Sequence, residues 1–161
     1  MTATVLVSDE QNDRATDGDR IGALARHALA AQGVSERAEV GVTAVDRDRI
    51  AELNLAYRAK EGATDVLSFP IDGSDEPEPA GYAGDARPPL LLGDIVICPS
   101  VAAETAIAHG VDYGAEIDLL VVHGVLHLLG YDHVDPDEAD AMEALERRIL
   151  ESFEYETEIV R

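Results

Sequence analysis

Apolar positions along this chain fall into short alternating runs separated by stretches with helical spacing. Thr4–Val7 predicts a first strand. From Asp19 to Gln32, Ile21, Leu24, Ala25, Ala28 and Leu29 form one stripe of a helix that Gly33 closes. Val40, Val42 and Ala44 alternate as a second strand, and Asp46 caps a helix running to Tyr57, with Ile50, Leu53 and Tyr57 turned inward. Asp65–Phe69, stopped by Pro70, and Leu91–Ile97 predict two further strands. Pro99 and Ser100 open a helix that Gly110 closes, and Asp112 can cap the next one. That helix is apolar nearly all round from Ile117 to Leu129, the pattern of a buried, central element. Asp135, Pro136, Asp137 and Glu138 then supply the cap, proline and acidic first turn of a last helix, with Met142, Leu145, Ile149 and Phe153 facing inward.

The alternation predicts an α+β fold of α/β-like character in one compact domain. It has about four strands in a mixed sheet, about five helices and a buried central helix. Residues 72–89 (DGSDEPEPAGYAGDARPP) break the pattern, being rich in proline, glycine and acids. They predict a mobile loop, either a lid over a site or a tolerated surface insertion.

Composition narrows the classes. The chain has 161 residues, 46% of them hydrophobic, enough to bury a core as a single domain over 1–161. Its first residues lack the basic start and apolar run of a secretory signal, and its apolar stretches are too interrupted to cross a bilayer. The single Cys98 excludes an internal disulfide and fits a reducing cytoplasm; at the end of an apolar run it reads as a buried structural thiol. With 33 acidic against 12 basic residues the net charge is −21, which repels polyphosphate. Any RNA contact must then come from a local basic spot, a bound metal or a partner protein.

The chemistry concentrates in His123-Gly-Val-Leu-His127-Leu-Leu-Gly130-Tyr-Asp-His133. Histidines four apart share one helix face, so His123 and His127 can reach a single ion. Gly130 can take the left-handed conformation that ends a helix, which brings His133 back as a third ligand. Three imidazoles and a water make an open, catalytic kind of site, whereas structural zinc sites are closed by four protein ligands. Such a zinc ion lowers the pKa of its water to about 7 and polarises phosphoryl or carbonyl oxygens. Zinc suits the donor set, although copper, nickel and iron also take nitrogen ligands. The competing reading is a set of satisfied core histidines. The spacing is shared with metzincin peptidases, but those need a glutamate directly after the first histidine, where this chain has Gly124. Solvated side chains are the default for His27 and His109 at helix surfaces and ends.

A second constellation is LNLAYRAKEGATDVLSFP at 53–70. Arg58 and Lys60 form a basic pair in a very acidic chain, and an arginine fork suits a phosphate. Together with LLGDIVICPSVA at 91–102 and HGVLHLLGYDH at 123–133, this segment closely resembles the YbeY family of bacterial endoribonucleases, or ribosomal RNA maturation factors. The resemblance covers about residues 40–150. It implies a zinc enzyme with His123, His127 and His133 as ligands, acting in small-subunit ribosomal RNA processing and ribosome quality control. Arg58 falls on the arginine that the family associates with RNA processing. Small-subunit ribosomal proteins and an assembly GTPase are implied as partners. Lys-Glu-Gly-Ala at 60–63 departs from the commoner Lys-Asp-x-Pro, and the 72–89 loop is longer and more acidic than in many relatives. The attacking group is open between zinc-bound water and the RNA 2′-hydroxyl. No general base is evident: Asp132 is one candidate, or else a partner that orients a histidine, and Asp65 and Asp94 are weaker ones. The alternative from another class is a non-catalytic ribosome assembly factor with a structural metal; a metallopeptidase ranks below both.

Overall fold

A computed structural model describes residues 3–71 and 89–160, with side chains to residue 156. The predicted loop at 72–89 lies, but for its last residue, outside them. The elements follow in the order β1 (Thr4–Asp9), α1 (Gly18–Ala31), β2 (Ala38–Ala44), α2 (Arg47–Arg58), β3 (Val66–Pro70), β4 (Leu90–Ile97), α3 (Pro99–His109), α4 (Tyr113–Leu128) and α5 (Pro136–Val160). The sheet order is β1-β2-β4-β3. β1, β2 and β4 run parallel and β3 pairs antiparallel with β4, so the described residues form the predicted mixed sheet of about four strands with about five helices.

Alternation along β4 sends its side chains into two cores. Leu92, Ile95 and Ile97 join Val40 and Val42 of β2 in the larger one, with Leu24, Ala25, Ala28 and Leu29 of α1 and Val121, Val125 and Leu126 of α4. Val96 and Cys98 turn the other way to meet Val45, Ile50 and Leu67 beneath α2. Cys98 is fully buried, and burial pushes its thiol pKa up, as expected of an inert structural thiol.

α4 touches α1, α3, α5, β3 and β4. Between Leu120 and Leu128 every residue is buried except His123 and His127, which are half-buried. Fully burying each Val or Leu is worth about 1.5–3 kcal/mol. The apolar majority therefore sets the rotation of the helix, and the two imidazoles face the one side left open. Arg20 of α1 locks the arrangement. Its Nε and Nη2 donate to the two carboxylate oxygens of Asp118 on α4 at 3.0 and 2.8 Å, and Nη2 also donates to Glu154 on α5 at 2.6 Å. Those carboxylates hold its pKa above the ordinary guanidinium value.

Two close approaches require glycine. Gly93 sits where the β2–β4 register skips Leu92, at φ 140°. A Cβ there would collide with the Phe69 carbonyl oxygen and lie 3.0 Å from Leu128 Cδ2, so β3, β4 and the end of α4 converge only on glycine. Gly124 lies against Ile95, whose Cγ2 would be 2.7 Å from an added Cβ.

Three sequence expectations are corrected. Tyr57 is 70% exposed, because the helical stripe from Ile50 runs past the edge of the small core by the last turn of α2. Asp112 holds the cap position of α4 without a side-chain capping bond. His27 is not solvated: its side chain is only 14% exposed, packed under α5. His109 is exposed as expected.

Candidate metal centre

The site grows from the end of α4. One helical turn separates His123 from His127, and their Nε2 atoms meet at 2.9 Å. Gly130 takes φ 98°, its N–H donating to His127 O at 3.1 Å and that of Tyr131 to Leu126 O at 3.0 Å. This closes the helix and reverses the chain. His133 thereby returns with its ring centroid 5.0 Å from that of His127 and 5.5 Å from that of His123. One nitrogen from each ring lies within 4.8 Å of the others, and no other such group of three potential ligands occurs among the described residues.

An outer partner is in place that spacing alone did not reveal. Glu146 of α5, with its side chain 8% exposed, lies 2.8 Å from His123 Nδ1. A buried carboxylate there keeps the proton on Nδ1 and the lone pair on Nε2, the arrangement by which carboxylates orient metal-binding histidines. His127 is held neutral mainly by burial and then by its two imidazole neighbours, which push its pKa down. Neutral imidazole is the ligand form, so this donor set fits a nitrogen-preferring divalent ion.

The three histidines line one open cleft of about 670 Å3 with Arg58, Thr64, Asp65 and Ser68. Arg58 ends α2, where Ala59 turns the chain through the left-handed region at φ 54°. Arg58 makes no ion pair among the described residues. Lys60 is exposed and is not among the residues lining the cleft. Asp132 lines it, but its Oδ1 accepts the His133 N–H at 2.7 Å, so its observed contact is with backbone and not with an imidazole ring. Asp65 also lines the cleft. Asp94 faces a different groove, with Tyr57 and Phe69. The position of the metzincin base is filled by helix-to-sheet packing, since Gly124 has no room for a side chain against Ile95.

Residues 6–154 match the family model described as Endoribonuclease YbeY. This chain belongs to the YbeY family. It is 50% identical over 138 residues to endoribonuclease YbeY of Salinispora tropica, covering 85% of this chain and 88% of that one. Against endoribonuclease YbeY of Mycolicibacterium paratuberculosis the identity is 42% over 151 residues, 93% of this chain and 83% of its relative. The solution structure of a protein from Thermotoga maritima superposes with a TM-score of 0.57 at 22% identity, over 95% of this chain and 93% of that one. That likeness concerns the fold alone.

Proposed function

We propose that this YbeY protein is a zinc-dependent endoribonuclease of the cytoplasm that processes small-subunit ribosomal RNA. The observation that carries the reading is one open cleft holding three converging imidazoles and an arginine that makes no ion pair among the described residues. His123, His127 and His133 would hold the ion, which when bound supplies a Lewis acid and lowers the pKa of a coordinated water to about 7.

The other residues position and neutralise. Glu146 keeps Nδ1 of His123 protonated, so its Nε2 stays available. Arg58, with no carboxylate to satisfy it among the described residues, is free to fork onto two oxygens of a phosphodiester and offset charge as the bond breaks. Asp65 and Asp132 are the carboxylates of the cleft wall and can take up a proton from the attacking hydroxyl. Lys60, beside the cleft on an exposed turn, would meet a flanking phosphate. No helix among the described residues is long and apolar enough to cross a membrane. The net charge of −21 makes unaided binding to RNA weak, so small-subunit ribosomal proteins and an assembly GTPase would supply the positive surface that this chain lacks.

The test is zinc-loaded protein on a structured fragment of small-subunit ribosomal RNA, with metal content measured on the same samples. Cleavage should disappear in His127→Ala together with the zinc, and in Arg58→Ala with the zinc retained. Cleavage that persists in both variants overturns the reading, and ribosome association without any cleavage favours an assembly factor.

A further inference from the structure

Tyr131 belongs to two clefts at once. It lines the metal cleft beside His133, and it also lines a separate groove of about 590 Å3 between the end of α1 and α5. That groove contains Ala31 and Gln32 on one side and Ala141, Leu145, Arg148 and Ser152 on the other. The α5 residues fall at i, i+4, i+7 and i+11, one continuous stripe of the helix. Tyr131 is 40% exposed, and its hydroxyl donates to Gln32 Oε1 at 2.7 Å, which anchors the ring by its far end. α5 carries nine acidic residues and only two basic ones, Arg147 and Arg148, and of these Arg148 lines the groove. Arg148 makes no ion pair among the described residues.

We propose that a single RNA strand runs from Arg58 across the imidazoles, stacks a base on Tyr131, and delivers a neighbouring phosphate to Arg148 in the second groove. This rests on the endoribonuclease reading and extends it to two residues, Tyr131 and Arg148, that would hold the strand beyond the imidazoles. An anchored aromatic ring gives a base a sequence-tolerant π-face, and a guanidinium one step further along meets the backbone charge. A continuous duplex keeps its bases stacked within the helix and presents none to Tyr131, so only an unpaired stretch can use this path. The groove meets the metal cleft at Tyr131, the residue the two share, and its cation is complementary to phosphate on a helix otherwise repulsive to it.

The experiment measures binding of 2′-O-methyl single-stranded oligonucleotides of increasing length to the zinc-loaded protein by fluorescence anisotropy across a salt series. Cleavage of the matching RNA is followed in parallel. Tyr131→Ala should weaken binding about fivefold or more. Arg148→Ala should lower the slope of log affinity against log salt by about 0.7, the loss of one single-strand phosphate contact. Both effects should vanish for oligonucleotides too short to pass Tyr131. Arg148→Lys should restore most of the slope, and Arg147→Ala, outside the groove, should leave it close to wild type. Wild-type cleavage with unchanged affinity and slope in Arg148→Ala overturns this path and leaves the enzymatic reading standing. Binding that depends on Tyr131 and Arg148 without any cleavage supports the path and overturns the enzymatic reading. Preference for duplex, or no binding of single strands at low salt, overturns the path.

Discussion

His123 and His27 are both imidazoles under α5, and each is paired with one of its glutamates, yet only one belongs to a site. His27 spends both nitrogens on the scaffold. Nε2 meets Ser152 Oγ at 2.7 Å, Nδ1 faces Glu156 at 3.3 Å, and the ring packs edge-on to Phe153 at 5.4 Å. His123 spends one nitrogen, on Glu146, and turns the other toward His127 and an open cleft. A carboxylate partner therefore does not distinguish a ligand from a structural histidine; a lone pair left uncommitted among other lone pairs does. The strongest way to break this contrast is truncation. His123→Ala should lose both bound zinc and RNA cleavage, whereas His27→Ala should retain full metal content and cost only stability. Metal analysis and thermal melting of the two variants side by side decide it, and equal zinc loss in both would sink the distinction.

The same contrast extends one shell outward with a smaller effect. Glu146→Gln leaves a side chain of the same shape but loosens the hold on the Nδ1 proton, so zinc affinity or activity should fall about 10- to 100-fold. Glu156 is exposed and its histidine faces no cleft, so Glu156→Gln should leave zinc affinity within error. Competition with a chelator of known affinity measures both.

The division between what spacing reveals and what it hides follows from these pairs. The turn at Gly130 and the face shared by His123 and His127 are local events set within eleven residues, so the convergence of the three histidines was legible from sequence. Arg58 was legible as a rare cation in an acidic chain, and the structure places it in the same cleft. Glu146 was not, because it is one of nine acids on α5 and only tertiary burial singles it out. His27 failed for the same reason, since nothing near it in sequence announces that α5 will cover it. The helix and strand types followed from periodicity. The antiparallel placement of β3 at the sheet edge, which makes it a wall of the cleft, depends on long-range pairing that no local pattern encodes.

A third contrast lies in the glycines of the two helices that carry these histidines. A methyl group at Gly124 of α4 would press on Ile95 at 2.7–3.2 Å in the middle of the core. Gly124→Ala should destabilise by about 1–3 kcal/mol through overpacking and tilt His123 away from its partners. At Gly22 of α1 the nearest atom would be the mobile end of Arg26 at 3.2 Å. Gly22→Ala should therefore be neutral or gain up to about 1 kcal/mol from helix propensity. Urea titration reads both, and Ile95→Val should recover part of the Gly124→Ala loss. A Gly124→Ala protein as stable as wild type would show that α4 can slide on the sheet, and that the ligand geometry is less fixed than its packing implies.

The smallest effect is a pH dependence in the metal-free protein. Burial, reinforced by His123 and His133, lowers the pKa of His127 below the ordinary imidazole value of about 6.5. Below that value the unfolded chain takes up a proton that the folded chain resists, so folding loses free energy as the pH drops. Stability should hold above about pH 6.5 and decline beneath it, and His127→Leu should flatten that part of the profile. Zinc occupies the same lone pair in the folded state only, so loading the metal should leave the onset near pH 6.5, where the unfolded chain takes up its proton, and should steepen the decline and carry it to lower pH. A decline that zinc neither steepens nor extends, with the flattening still seen in His127→Leu, would mean that His127 titrates in the fold but does not hold the ion.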